Sequence, residues 1–133
     1  MHRAQSGVTL IELLVTVAIL GIIIGIAVPA YQDHIKTGEA GAMRQKMDSL
    51  RVFEENYHVE NGTFFPGVYR SGGVNPFEAI GFRIANDDDG IDLEVTTCDT
   101  RPITSCYKVE ARMPSAKHAV VWMDGKYSAY DMP

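Results

Sequence analysis

The sequence predicts an α+β fold, in which one long N-terminal α-helix packs through its second half on a small antiparallel β-sheet of three or four strands. Three observations support this prediction. Residues 8–28 are almost continuously apolar, residues 30–59 repeat apolar side chains with a helical period, and residues 91–130 contain short runs separated by turn residues. Because the chain has 133 residues, one such domain accounts for its length.

The apolar run of residues 8–28 has the length of a membrane-spanning helix. As a helix, it would extend for about 31 Å, close to the roughly 30 Å of a bilayer's hydrocarbon core. A secretory signal peptide would end its apolar region at a small-residue cleavage site, and none follows this run, so we expect the run to be retained. Arg3 on its N-terminal side favours a cytoplasmic N-terminus.

These features divide the chain into three parts. Residues 1–7 form a short polar leader, residues 8–29 a membrane helix, and residues 30–133 a water-soluble domain. The orientation of the helix places that domain on the far side of the membrane from the leader. We therefore expect a single-pass membrane protein whose larger part is folded outside the cytoplasm.

The water-soluble domain begins with an amphipathic helix at residues 30–60, which is built on a stripe of methionine and aromatic side chains. Such a stripe is more often core than a cofactor site. Its members recur at spacings of three, four or eight residues: Ile35, Met43, Met47, Leu50, Phe53 and Tyr57. Asn61 and Gly62 tolerate the left-handed conformation and predict the end of the helix, after which residues 61–90 form a loop rich in glycine and proline.

Four runs at the end of the chain predict an antiparallel meander at residues 91–130. They lie at residues 91–97, 106–113, 119–123 and 126–130. Apolar and polar residues alternate in the first two runs, as in strands with one buried face. Asp124 and Gly125 separate the last two runs and predict a two-residue hairpin.

Glu12 is the charged residue within the apolar run. An ionised carboxylate costs roughly 2.5 kcal/mol or more if it lies unpaired at the centre of a bilayer. The residues alone leave two interpretations open. The side chain either reaches the interface, one turn away, or it is a recognition charge that needs a cationic partner. If the chain is cut after Gly7, the new amine of Val8 lies one helical turn from Glu12 and can be that partner.

The residues around this charge resemble the prepilin processing motif of type IV pilins and type II secretion pseudopilins: Ser6, Gly7, Val8, Thr9, Leu10, Ile11 and Glu12. The resemblance implies that a prepilin peptidase cuts after Gly7 and methylates the amine of Val8. It also implies that Glu12 acts in processing and in subunit docking. The family usually has Phe where this chain has Val8. The resemblance is close over residues 1–35 and covers the rest of the chain in outline.

The same resemblance implies a structural subunit of a type IV pilus, which we interpret as a minor pilin. A type II secretion pseudopilin and a DNA-receptor pilin are the alternatives. Its partners would be other pilin subunits, the prepilin peptidase, the inner-membrane assembly platform and the lipids of the bacterial inner membrane. After assembly it would lie in an extracellular filament for twitching motility, adhesion or DNA uptake. Gly21, Gly25 and Pro29 would mark the part of the helix that opens on assembly.

Two cysteines, Cys98 and Cys106, lack the C-x-x-C spacing and the histidine pair of a metal or redox site. In a domain outside the cytoplasm they are expected to form a disulfide, with two buried thiols as the alternative. The resemblance adds that pilins commonly have a C-terminal disulfide, whereas major pseudopilins commonly do not. The cysteines therefore favour a pilin.

The chain is acidic, with a net charge of −5, and its densest acidic stretch includes Asp87, Asp88 and Asp89. This balance argues against nucleic acid as the main partner, although folding can still align scattered basic residues into a stripe. The three aspartates lack the spacing of an EF-hand, and we interpret them as an acidic turn with no metal; a calcium site is the alternative. Because catalytic motifs are missing from the sequence, we expect neither an enzyme nor a cofactor.

Overall fold

A computed structural model describes residues 7–84 and 89–133 of the chain. The chain forms two compact units, Met1–Ile35 and Lys36–Pro133. One helix, α1, spans Leu10–Asn61, so that it begins in the first unit and ends in the second. The second unit combines the end of this helix with an antiparallel sheet, which confirms the predicted α+β fold.

The first unit is a helical segment whose apolar side chains remain uncovered. Leu10 is 82% exposed and Ile26 is 71% exposed. In the described part of the chain, α1 is the one helix that is long and apolar enough to cross a membrane. Water is an unfavourable surrounding for so much apolar surface, so this segment requires lipid or protein around it.

The second half of α1 buries the predicted stripe against the sheet. Met43, Met47 and Leu50 are completely buried, while Phe53 and Tyr57 are partly buried. Ile35 is 43% exposed, so the buried stripe begins after it. The helix ends as predicted, because Gly62 adopts a left-handed φ of 70° and its N–H donates to the carbonyl of His58 over 2.8 Å.

The sheet contains five antiparallel strands in sequential order, where three or four were predicted. They are β1 Gly67–Tyr69, β2 Asp92–Thr97, β3 Tyr107–Met113, β4 His118–Met123 and β5 Lys126–Asp131. The additional strand is β1, which lies in the stretch predicted as loop. Its three residues are too few to show an alternating pattern. A short 3₁₀ helix, Pro76–Ile80, connects β1 with the segment before β2.

The inner face of the sheet forms one side of the hydrophobic core. Val95, Val109 and Trp122 are neighbours across β2, β3 and β4, and at most 7% of each is exposed. The predicted hairpin joins β4 to β5. Asp124 and Gly125 have φ angles of 50° and 79°, and a turn with two positive φ angles matches the twist of the strands. The inner face therefore meets the buried stripe of α1, and the outer face remains available for polar side chains.

Candidate functional site

The first turn of α1 is closed by reciprocal hydrogen bonds between Thr9 and Glu12. The backbone N–H and the hydroxyl of Thr9 both donate to Oε2 of Glu12 over 3.3 Å. In return, the N–H of Glu12 donates to Oγ1 of Thr9 over 3.3 Å. This arrangement is a capping box. Sequence analysis overlooked it, although the T-x-x-E spacing that signals a capping box is present in the chain.

The capping box affects how the charge of Glu12 is balanced. The N-terminus of a helix has a partial positive charge, because its first N–H groups have no partner within the helix. The carboxylate of Glu12 lies at this end and accepts two hydrogen bonds from Thr9. Its charge is thus stabilised within its own chain.

The predicted cleavage site lies just before the helix. Gly7 and Val8 precede α1 and have no regular secondary structure, and Val8 is 76% exposed. An ideal Cβ atom built on Gly7 meets no atom within 4 Å. The peptide bond between these residues is accordingly accessible within the described chain. Residues 1–6 of the predicted leader lie outside the described residues, and cleavage and methylation stay predictions.

The predicted flexible stretch of the helix is helical here. Gly21, Gly25 and Pro29 all lie inside α1. Side chains built on either glycine would meet no atom within 4 Å, so neither glycine is required by a close contact in this chain. Proline lacks the N–H that continues the helical hydrogen bonds, which keeps Pro29 a weak point. The opening of this stretch on assembly stays a prediction.

Cys98 and Cys106 form a disulfide, as expected for a domain outside the cytoplasm. It joins the end of β2 to the start of β3, and at most 5% of either residue is exposed. The loop that it closes contacts the end of α1, where Nε2 of His58 lies 3.0 Å from the carbonyl oxygen of Thr104. Asp124 lies beside Cys106, with 3.4 Å between Oδ1 and Sγ. Since both sulfur atoms are bonded to each other, this cluster does not present the thiolates that bind a metal.

One aspartate of the acidic stretch contacts helix α1. Asp87 and Asp88 lie outside the described residues. The carboxylate of Asp89 accepts two hydrogen bonds from Nζ of Lys46, over 2.8 and 2.9 Å, and a third from the N–H of Ile91 over 3.0 Å. An aspartate that is neutralised in this way supports the interpretation as a structural turn.

Basic side chains in the second unit are mostly paired with carboxylates. Those with a carboxylate oxygen within 4.0 Å are Lys36, Lys46, Arg51, Arg70, Arg101, Lys108 and Arg112. Arg112 makes two such pairs, with Glu94 at 2.9 Å and with Glu110 at 2.6 Å. Phosphate binding requires clustered positive charge that is not already neutralised. Among the described residues of the second unit, most of the positive charge is therefore paired with a carboxylate.

Glu54 is a buried acid that sequence analysis did not single out. It lies in the buried stripe of α1, beyond Leu50, and no part of it is exposed. Burial raises the pKa of its carboxyl group to about 7. The periodicity of the stripe continues through this position, since 43, 47, 50 and 54 follow a helical spacing. That spacing is the signal that could have identified it.

Comparison with known proteins agrees with the features at the N-terminus. Residues 2–28 match the family described as the prokaryotic N-terminal methylation motif. The chain is 34% identical over 74 residues, 56% of its length and 43% of the relative's, to a fimbrial protein of Neisseria meningitidis serogroup B. It is 44% identical over 52 residues, 39% of its length and 32% of the relative's, to the type IV major fimbrial protein FimA of Dichelobacter nodosus.

A fimbrial protein of Moraxella nonliquefaciens is similarly related, with 46% identity over 50 residues, 38% of this chain and 32% of the relative. The chain spans less than half of the length of each of these curated relatives. The similarity therefore concerns one part of the chain. The description of the remainder rests on the structure of this chain alone.

Proposed function

We propose that the chain is a type IV pilin, a structural subunit of a type IV pilus, which acts by assembling with other pilin subunits. The observation that supports this proposal is the order of the segments along the chain. A processing motif stands immediately before a helix that is apolar and uncovered in its first half and packed on a sheet in its second half. Catalysis is not part of the proposed role, since the matched relatives are named as fimbrial proteins.

In the proposed mechanism, the prepilin peptidase removes residues 1–7 and methylates the amine of Val8. The carboxylate of Glu12 then pairs with the Val8 amine of a neighbouring subunit. Within a bundle of apolar helices an unpaired carboxylate is costly, so this pair selects a defined docking position. The capping box supports this step, because Thr9 holds the carboxylate at the start of the helix until the amine arrives.

We further propose that the subunit begins in the bacterial inner membrane, with a cytoplasmic N-terminus and a periplasmic domain, and ends in the extracellular filament. The uncovered apolar helix and the disulfide support this route, because disulfides persist in oxidising compartments. An assembly platform in the inner membrane would transfer the subunit into the filament.

The subunit is proposed to be a minor one. The matched part of the type IV major fimbrial protein FimA covers 39% of this chain, and the comparison leaves the rest of the chain unmatched to that major subunit. Mass spectrometry of sheared filaments should detect this chain at a small fraction of the main subunit's abundance. Equal abundance would show instead that it is the main subunit.

The Gly7→Ala variant tests the proposed processing. We expect it to remain in the membrane at full length, whereas the wild type should yield a mature chain that starts at Val8. Gly21→Ala is a matched control, because an added Cβ at Gly21 meets no atom within 4 Å and the residue lies outside the motif. Normal maturation of the Gly7→Ala variant would contradict the prepilin interpretation.

The Glu12→Ala variant tests the proposed docking. It should still insert into the membrane, but its recovery in sheared filaments should fall strongly relative to the wild type. Glu60→Ala provides the control, since Glu60 is exposed near the other end of α1. Unchanged incorporation of the Glu12→Ala variant would favour the alternative in which the side chain only reaches the membrane interface.

A type II secretion pseudopilin is the second candidate function, and the disulfide favours a pilin over it. Deletion of the gene should therefore impair surface filaments and leave protein secretion intact. A DNA-receptor pilin is a third candidate, which the paired basic side chains disfavour. Fluorescence anisotropy with duplex DNA at low salt would detect such a receptor.

A further inference from the structure

We propose that Glu54 is a proton-controlled latch, which holds the start of the loop after α1 against the helix when its carboxyl group is protonated and releases it when the group ionises. The proposal concerns the folding of the second unit and goes beyond filament assembly. It rests on the burial of the side chain and on the hydrogen bonds that its two oxygens make.

The two oxygens of Glu54 have different surroundings. Oε2 accepts a hydrogen bond from the backbone N–H of Phe65 over 2.8 Å. Oε1 is buried and makes no hydrogen bond within the described residues. A single backbone donor compensates poorly for the water that an ionised carboxylate loses on burial, whereas a neutral carboxyl group loses much less. The closed arrangement therefore favours the protonated form.

The hydrogen bond of Glu54 connects α1 to the segment that follows the helix. Phe65 lies beyond the end of the helix, and its ring packs edge-to-face on Tyr57, with 5.6 Å between centroids. Phe64 stacks on His58, and its N–H donates to the carbonyl of Ile103 in the disulfide loop over 3.4 Å. Release of Phe65 would accordingly loosen the contact between the helix end and that loop.

Few charged groups near Glu54 could neutralise its carboxylate in place of a proton. On α1 the neighbours in sequence are Arg51, Glu55 and His58, and the charge of Glu55 raises the pKa of Glu54 further. Tyr107 of β3 donates its hydroxyl to Glu55 over 3.0 Å. Glu78 of the 3₁₀ helix is exposed. Residues 63–67, which carry the Phe65 donor, contain no titratable side chain.

The direction of the effect follows from these contacts. Burial raises the pKa of Glu54 in the closed state to about 7, whereas an open, hydrated carboxyl group titrates near 4.5. Between these values, each unit of rising pH favours the open state by up to about tenfold. The closed state is thus most favoured in acid. It becomes less favoured as the pH approaches 7, and the balance between the closed and open states changes little above that pH.

Hydrogen exchange of the full chain in detergent micelles tests the latch. After correction for the intrinsic exchange rate, the protection of the Phe65 amide should fall by at least about tenfold between pH 5 and pH 7.5. The amides of Val109 and Val120, in the centre of the sheet, should lose much less protection. An equal loss at all three amides would overturn the proposal, because it would indicate opening of the whole domain.

Two variants separate Glu54 from its neighbours. Glu54→Gln keeps an acceptor for Phe65 but cannot ionise, so the protection of Phe65 should become independent of pH. Glu55→Gln is the matched control and should retain the dependence of the wild type. Should Glu54→Gln fail to fold, a carbon-13 titration of the wild-type Glu54 carboxyl decides the question: a titration near 7 supports the latch, and one near 4.5 overturns it.

Discussion

The guanidinium group of Arg51 lies over the indole ring of Trp122, with 3.7 Å between the guanidinium carbon and the ring centroid. This contact joins the second half of α1 to strand β4. On its other side, Arg51 pairs with Asp48 one turn earlier, over 2.9 Å. The helix is therefore attached to the sheet by a polar contact at the edge of the core as well as by the apolar stripe.

Replacement of this arginine by lysine should destabilise the domain. Arg51→Lys keeps the charge but loses the planar group that stacks on the ring, at an expected cost of about 1 kcal/mol. Thermal unfolding of the full chain in detergent, followed through the fluorescence of its one tryptophan, measures this change. Arg44→Lys is the control, because Arg44 lies 5.4 Å from the ring of Tyr127 and is exposed. Equal effects of the two substitutions would contradict the special role of Arg51.

Loss of the disulfide should lower the stability of the same domain, because the disulfide restricts the unfolded chain. The bond closes a loop between residues eight positions apart. Removing this restraint should cost about 2.5 kcal/mol, since the unfolded chain regains the entropy of the open loop. The double variant Cys98→Ser with Cys106→Ser, compared with the oxidised wild type, gives this value from thermal unfolding. An unfolding temperature that does not change on reduction would show that the loop is held by its other contacts.

The pair of Arg112 and Glu110 should make the domain sensitive to acid. Burial raises the pKa of Glu110, but hydrogen bonds from Arg112 and Tyr130 outweigh it and bring that pKa below its ordinary value of 4.5. A carboxyl group with a lowered folded-state pKa stabilises the protein above its unfolded pKa, and this contribution disappears as the pH falls through the folded-state pKa. Stability from this pair is therefore present at pH 6 and is lost as the pH falls through the lowered pKa of Glu110.

Arg112→Gln provides the test of this pair. At pH 6 it should reduce the free energy of unfolding by about 2 kcal/mol, because it removes the closer of the two cations that pair with a nearly buried carboxylate, the other being Lys108 at 3.7 Å. As the pH falls through the lowered pKa of Glu110, the difference from the wild type should shrink, since the carboxyl group then takes up a proton. Lys126→Gln, at an exposed position of β5, is the control and should change stability little throughout this pH range. A loss that is independent of pH would assign the effect to packing.

Removal of the capping hydroxyl should loosen the first turn of α1. Thr9→Val deletes one of the donors to Glu12 and the acceptor for its N–H, which should cost about 1 kcal/mol and accelerate exchange of the first-turn amides roughly fivefold. Hydrogen exchange in micelles measures this. Thr16→Val is the control, because its hydroxyl donates to the Leu13 carbonyl inside the helix and caps nothing. Unchanged exchange in Thr9→Val would mean that Glu12 alone closes the turn.

The helix and four of the strands could be predicted because each leaves a periodic pattern of apolar residues in the sequence. Strand β1 leaves none, and its position depends on a tertiary contact. A Cβ atom at Gly67 would approach the ring of Phe77 to 2.9 Å, so β1 passes close to the 3₁₀ helix. Such a close approach is set by how the loop folds, and no local pattern predicts it.

The residues of the candidate site also fall into two groups, those that the sequence predicts and those that it does not. Gly7, Val8 and Glu12 could be identified because they belong to a contiguous motif, and the capping box could have been identified from the same residues. The role of Glu54 could not, because its partner is a backbone N–H that the chain delivers only after reversing direction at Gly62. Hydrogen bonds to backbone groups depend on the path of the chain and not on the type of the partner residue.

The sequential order of the strands has a consequence for how the domain folds. Each strand from β2 to β5 pairs with the one that precedes it, so most pairings join residues that are near one another in the chain. Domains with such a low contact order fold fast, because little loop entropy is lost before each pairing is made. The remaining step is the docking of the sheet onto α1, which joins distant residues such as Asp48 and Tyr127. We therefore expect strand pairing to be rapid and helix docking to set the rate of folding.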